Sequence, residues 1–342
     1  MNTNRNSQIL GLWLMFCACV VYFMIVVGGI TRLTQSGLSM VEWAPIMGIL
    51  PPIGEAAWLE VFNKYRAYPE YQQVNAGMSL DAFKSIFWWE YGHRILGRII
   101  GLIYFIPLLF FLIKGMVPRQ WRLRLFALFV LGGLQGLMGW YMVKSGLVDV
   151  PHVSQYRLTA HLGLAVVIFA CMFWYALDFL RGEQSRAVDQ ASSGYLKVTA
   201  AAVLVVFIMM LSGGFVAGTK AGFIINTFPT MNGEWVPASW MAMTPWWRNL
   251  FENAVAIQFI HRSLAVVVLA TIVYLFLVSI KQQFRTYAVL ALIAVGVQVM
   301  LGISALVMRV PLALGAGHQA GAVALLAACL FVAHHARKKA QD

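Results

Sequence analysis

Eight stretches of this sequence are apolar over a length that crosses a bilayer: residues 9–30, 91–113, 123–143, 158–180, 196–217, 255–280, 287–308 and 312–333. A crossing helix needs about 20 such residues. Inside hydrocarbon each backbone N–H and C=O must find its partner within the segment, so runs of this kind fold as helices. The chain is therefore expected to be an all-α integral membrane protein with eight transmembrane helices. Only 11% of its residues are charged, where soluble domains carry about 25%, and this excludes a soluble globular fold. The first run follows residues 1–8 with no small-residue cleavage site, and is read as a retained helix.

The net charge of +12 would suggest nucleic acid in a soluble protein. In a membrane protein it reports orientation, because Lys and Arg near helix ends stay in the cytoplasm. One set of connections, with both termini, holds 13 basic and 4 acidic residues; the other holds 12 and 9. Both termini are thus expected in the cytoplasm, and no nucleic acid partner is called for. Trp43, Trp58, Trp88, Trp89, Trp235, Trp240, Trp246 and Trp247 cluster in or beside the outer connections, where indole rings anchor at the lipid interface. Two outer connections are long, 32–85 and 218–253, and their Gly, Pro and aromatic content suggests ordered lids.

The chain repeats itself. Gly28-Gly29 closes the first span and Gly213-Gly214 the fifth; His93-Arg94 opens the second and His261-Arg262 the sixth. Gln135 and Gly139 in the third span match Gln298 and Gly302 in the seventh, and His161 in the fourth matches His318 in the eighth. Four matches in one order indicate duplication. A four-helix unit preserves orientation, so the expected architecture is two pseudo-symmetric four-helix bundles, residues 1–185 and 186–342, related about the membrane normal.

Ionisable side chains at membrane depth are costly and mark function. His93, His161, His261 and His318 all lie within spans near the outer ends of even-numbered helices, two per half. Two imidazoles from one bundle can reach opposite faces of a planar ligand, which points to bis-His haem iron; zinc lacks further ligands. Arg94 and Arg262, each following one of these histidines, suit haem propionates. His152, His334 and His335 are expected to be solvated or interfacial, and Cys17, Cys19, Cys171 and Cys329 to be small buried hydrophobes. Glycine and alanine near the histidines (Gly97, Gly101, Gly163, Ala165, Gly317, Gly321, Ala322) could admit a flat macrocycle or pack helices. The repeat breaks at Glu90, three residues before His93, where the other half has Gln258. A carboxylate can move protons or steady a cationic intermediate. Chemistry is therefore expected in the N-terminal half, and a permanent haem in the C-terminal half.

Glu90-Tyr91-Gly92-His93-Arg94, the duplicated eight-span plan, the other three histidines, and the stretch from Thr31 to Met40 running on to Trp43, Pro45, Gly48, Pro51 and Pro52 resemble the haem A synthase family, in its mitochondrial and alphaproteobacterial branch. The resemblance covers nearly the whole chain. It implies oxidation of the C8 methyl of haem O to the formyl of haem A by successive hydroxylations, for cytochrome c oxidase. It makes His93 and His161 the substrate haem ligands, His261 and His318 the ligands of a haem b, and Glu90 the acidic residue implicated in the oxidation, hence the catalytic one. The cell inner membrane is the implied location, with the haems toward the periplasm. Implied partners are haem O synthase, cytochrome c oxidase assembly factors, an electron acceptor, membrane lipid and a second copy of the chain. The cysteine pairs found in outer loops elsewhere in the family are absent from these loops. A di-haem b electron-transfer cytochrome and a haem transporter or chaperone are the competing readings.

Overall fold

The computed structural model describes residues 2–42, 47–144, 146–147, 151–181, 191–280 and 285–337. Trp43, Pro45, the proposed 185/186 boundary and the charges Glu183, Arg186, Asp189, Lys281, Lys338, Lys339 and Asp342 lie outside them. The described chain is all-helical, with ten α-helices and no strand. Eight are long and apolar enough to span a bilayer: α1 (Asn2–Leu33), α4 (Leu80–Ile113), α5 (Arg119–Lys144), α6 (Gln155–Arg181), α7 (Ser193–Gly218), α8 (Ala254–Ser279), α9 (Arg285–Val307) and α10 (Leu312–Ala336). The chain is a multi-pass membrane protein.

The first long loop carries two helices of its own, α2 (Glu55–Arg66) and α3 (Pro69–Gln73). It also shrinks, because α4 starts eleven residues before the apolar run at Tyr91. Ser79 caps it, its Oγ accepting from Ala82 N, and Asp81 sits in the first turn, where the helix dipole favours negative charge. Hydropathy alone misses this extension because its apolar residues are spaced for one face: Phe83 and Phe87 bury against Phe62 and Tyr65 of α2.

α1, α4, α5 and α6 pack in a ring, each on its neighbours, and α7, α8, α9 and α10 do the same. Between the rings, α1 packs on α10, α6 on α7, and α6 on α10. Arg32 ties the two groups together by donating from Nη2 to the carbonyls of Ala217 (2.9 Å) and Gly218 (3.3 Å) at the end of α7, groups that no helical N–H satisfies. Gln319 Nε2 donates to Ile25 O and Tyr22 Oη to Ala320 O across the same seam. Pro107 lies inside α4 and cannot bond the Ile103 carbonyl one turn back. Trp13 of α1 fills that vacancy, its Nε1 donating to Ile103 O at 3.2 Å. The outer face of α5 is largely exposed, with only Trp121, Leu125 and Leu128 buried, as suits contact with lipid.

Two sequence expectations change at the other end of the molecule. α10 continues to Ala336, so His334 is not in a solvated tail: it is buried, bonds Asp178 of α6 at 2.9 Å and packs on Trp174. Asp178 also pairs with Arg337. His335 is half-buried against Tyr287, while His152 is exposed as expected. Of the four free cysteines, Cys17 and Cys329 are buried and Cys171 is intermediate; Cys19 is exposed. It follows Cys17 at i+2, and two such positions lie on different faces of a helix.

Candidate functional site

All four span histidines lie toward the end that carries the long loops, and each is passed by a glycine of the preceding span. A methyl group placed on Gly28 of α1 would lie 3.1 Å from His93 Nε2, and one on Gly139 of α5 would lie 3.1 Å from His161 Cε1. One on Gly213 of α7 would lie 3.5 Å from His261 Cε1, and one on Gly302 of α9 would lie 2.8 Å from His318 Cε1. Glycine at these positions lets an imidazole lie against the neighbouring backbone. In the sequence these glycines serve only as repeat markers; the structure gives them the role of seating the rings.

Polar neighbours aim the rings further. Gln135 Nε2 donates to the His161 carbonyl (3.1 Å) and lies 3.4 Å from its Nε2; Gln298 Nε2 donates to the His318 carbonyl (2.8 Å) and lies 3.1 Å from its Nδ1. The Oε1 atoms of both glutamines are buried without a partner. Ser212 Oγ lies 2.7 Å from His261 Nδ1. The His261 and His318 rings are 6.4 Å apart, centre to centre, at 75°. Bonds of about 2 Å from each imidazole to a shared metal place two ring centres about 6 Å apart. The spacing of His261 and His318 thus fits an iron shared by these two rings. Among the described residues no three His, Cys, Asp or Glu side chains converge, so bare metal ions have no cage.

The small residues divide. A methyl on Gly163 would meet Leu211 at 2.9 Å and one on Gly321 would meet the Gln298 amide, which makes both helix-packing positions; Gly101 faces open space.

Glu90 is 3% exposed and heavily engaged. Oε2 accepts from Ser39 Oγ (2.8 Å) and Met40 N (2.7 Å), and Oε1 pairs with Arg94 Nη2 (2.5 Å). Arg94 in turn donates to the Met40 carbonyl (2.8 Å) and the Glu42 carbonyl (3.1 Å). The other half repeats this with an amide. Gln258 Nε2 donates to Ala221 O (2.9 Å) and Ile225 O (3.0 Å), while Arg262 donates to Ile225 O (2.8 Å) and Thr227 O (2.9 Å). Both pairs therefore clamp the segment following the first helix of their half. This role was not visible in the sequence, because the carbonyls come from loops of unlike sequence. Ser39 belongs to the Thr31–Met40 stretch, which gave it no individual role, and Ser212 stands in no motif.

A second buried carboxylate lies in the first loop. Glu70 of α3 is 6% exposed and accepts from Tyr65 Oη at 3.1 Å, whose oxygen accepts from Asn75 Nδ2. Burial pushes its carboxyl up to about 7; Glu90 adds to the rise, while the Tyr65 bond, Arg32 and Lys220 oppose it. With the folded-state value raised from 4.5, the contribution of Glu70 to stability is full below pH 4.5 and is lost as pH rises to about 7. Glu70→Gln, permanently neutral and able to accept from Tyr65, should match the wild type near pH 4.5. It should exceed it above pH 7, by at most about 3 kcal/mol. Thermal unfolding of detergent-solubilised protein across this range measures the gap; superimposed profiles would contradict it.

Known proteins resemble this chain over nearly its whole length. The protein named heme A synthase from Nitrosospira multiformis is 51% identical over 335 residues, 96% of this chain and 94% of that one. Those of Nitrosomonas eutropha and Parvibaculum lavamentivorans are 48% and 46% identical over similar shares. Residues 11–330 match COX15-CtaA, described as cytochrome oxidase assembly protein, and the chain belongs to that family.

Proposed function

We propose that this chain is a haem A synthase, an oxidoreductase that converts the C8 methyl of haem O to the formyl group of haem A for cytochrome c oxidase. The relatives carry that name over nearly the full length of both chains. The observation that carries the reading within the site is Glu90, a carboxylate one turn from His93, where the equivalent place near His261 holds Gln258.

In this reading residues 1–185 form the substrate half and residues 186–342 the half with the resident haem b, two four-helix bundles in tandem. The matching rings of helices and the reciprocal seam of α1 on α10 and α6 on α7 support it. His93 and His161 hold the haem O iron; His261 and His318 hold haem b, which supplies a one-electron carrier when bound. Each methyl hydroxylation with oxygen from water removes two electrons and two protons. Each carboxylate oxygen accepts twice. Glu90 Oε2 is filled, and among the described residues Oε1 accepts only from Arg94, which leaves Oε1 as the atom to receive a proton. Arg94 and Arg262 keep the two loops closed over the helix ends and place positive charge there for propionates. Arg262 Nε, buried and unpartnered among the described residues, is a donor for that purpose.

The basic balance of the short connections supports cytoplasmic termini, a cell inner membrane location and haem sites facing the periplasm. Haem O synthase, oxidase assembly factors, an electron acceptor and a second copy of the chain are the partners this role calls for. Expression in a bacterium that makes haem O and lacks haem A tests the proposal: its membranes should acquire haem A. Membranes that hold haem O and no formyl haem would refute it.

A further inference from the structure

Ser212 of α7 and Val27 of α1 occupy the same place in the repeat. Each directly precedes the glycine that seats a histidine, Gly213 under His261 and Gly28 under His93. The Ser212 hydroxyl has one proton, which goes to the Met209 carbonyl at 2.7 Å. With that proton on Met209, the serine oxygen, 2.7 Å from His261 Nδ1, is placed to accept the ring N–H of the tautomer that binds metal through Nε2. This bond fixes the ring plane, puts the imidazole proton on Nδ1 and leaves Nε2 free with its lone pair, the arrangement that second neighbours give to metal-binding histidines. Val27 has no polar side-chain atom, and among the described residues the His93 ring has no hydrogen-bond partner.

We infer that the Ser212/Val27 difference sets how long each half keeps its haem. Ser212 is a positioning residue that makes the C-terminal haem resident, whereas His93, unheld at its second nitrogen, is the ligand that lets go to admit substrate and release product. The inference rests on the assignment of His261 and His318 to the resident haem and His93 and His161 to haem O. The acceptor also makes the His261 imidazole a stronger electron donor, which lowers the reduction potential of the iron it binds.

The test uses the purified full chain in detergent, with apomyoglobin as haem trap. Ser212→Ala should lose haem b about 10-fold faster or more and show a higher reduction potential; Ser212→Thr, which keeps the hydroxyl, should restore both. Val27→Ser should release bound haem O more slowly than the wild type. Wild-type loss rate and potential in Ser212→Ala would overturn the inference. If that variant does not fold, Val27→Ser decides alone, and unchanged haem O release overturns it. His261→Ala separates the two levels of argument. Haem b kept in His261→Ala removes the ligand assignment. Haem b lost there but held normally in Ser212→Ala removes only the role of Ser212.

Discussion

Glu90→Gln should keep its haem b and lose haem A formation by about 100-fold or more, the scale of a missing proton acceptor. The fold should be weakened far less than by truncation, because volume and an acceptor oxygen are kept. The other half already runs with Gln258 at this position beside Arg262, and a glutamine oxygen can still accept from Ser39 and Met40. What is lost is the charge facing Arg94 and the capacity to take up a proton. Glu90→Ala is a different experiment: it removes the carboxylate facing an arginine side chain only 11% exposed and orphans the Met40 N–H. That destabilises by about 3 kcal/mol or more, so its inactivity would say little about chemistry. The dense bonding of Glu90 also favours a purely anchoring role for the 36–42 segment. Haem extraction from the Gln variant decides between them, because unchanged haem A output would leave Glu90 as an anchor alone.

The second large effect divides the molecule. His261→Ala and His318→Ala should each purify without haem b, while His93→Ala and His161→Ala should keep haem b and fail to make haem A. Removing a direct ligand should exceed the about 10- to 100-fold loss of affinity that follows removal of a second neighbour. Absorption spectra for haem b content and chromatography for haem A read the two halves separately. Equal loss of haem b from all four variants would contradict the assignment of one resident and one substrate site.

The fold was legible because the bilayer imposes a length and a polarity on each crossing, and eight runs met both conditions. The histidines stand out in the sequence because ionisable groups are rare inside such runs, and their repeat pairing doubles the signal. Three things were not legible. The extension of α4 to Leu80 is amphipathic and packs on α2, so no continuous apolar run announces it. His334 lies beside basic residues in sequence, yet α10 carries it against Asp178. The clamps made by Glu90, Arg94, Gln258 and Arg262 end on backbone carbonyls, and a carbonyl has no letter in a sequence. Ser212 is the instructive case: its repeat partner Val27 is apolar, so alignment of the halves shows a mismatch, and only the 2.7 Å contact with His261 gives that mismatch a meaning.

Chromatography of the haems extracted from the purified chain, made with and without a co-expressed source of haem O, is the most direct test of haem O oxidation. Haem b alone without the source, and haem b together with haem A or its hydroxylated precursor when the source is present, is the expected result. Haem b alone under both conditions would contradict it.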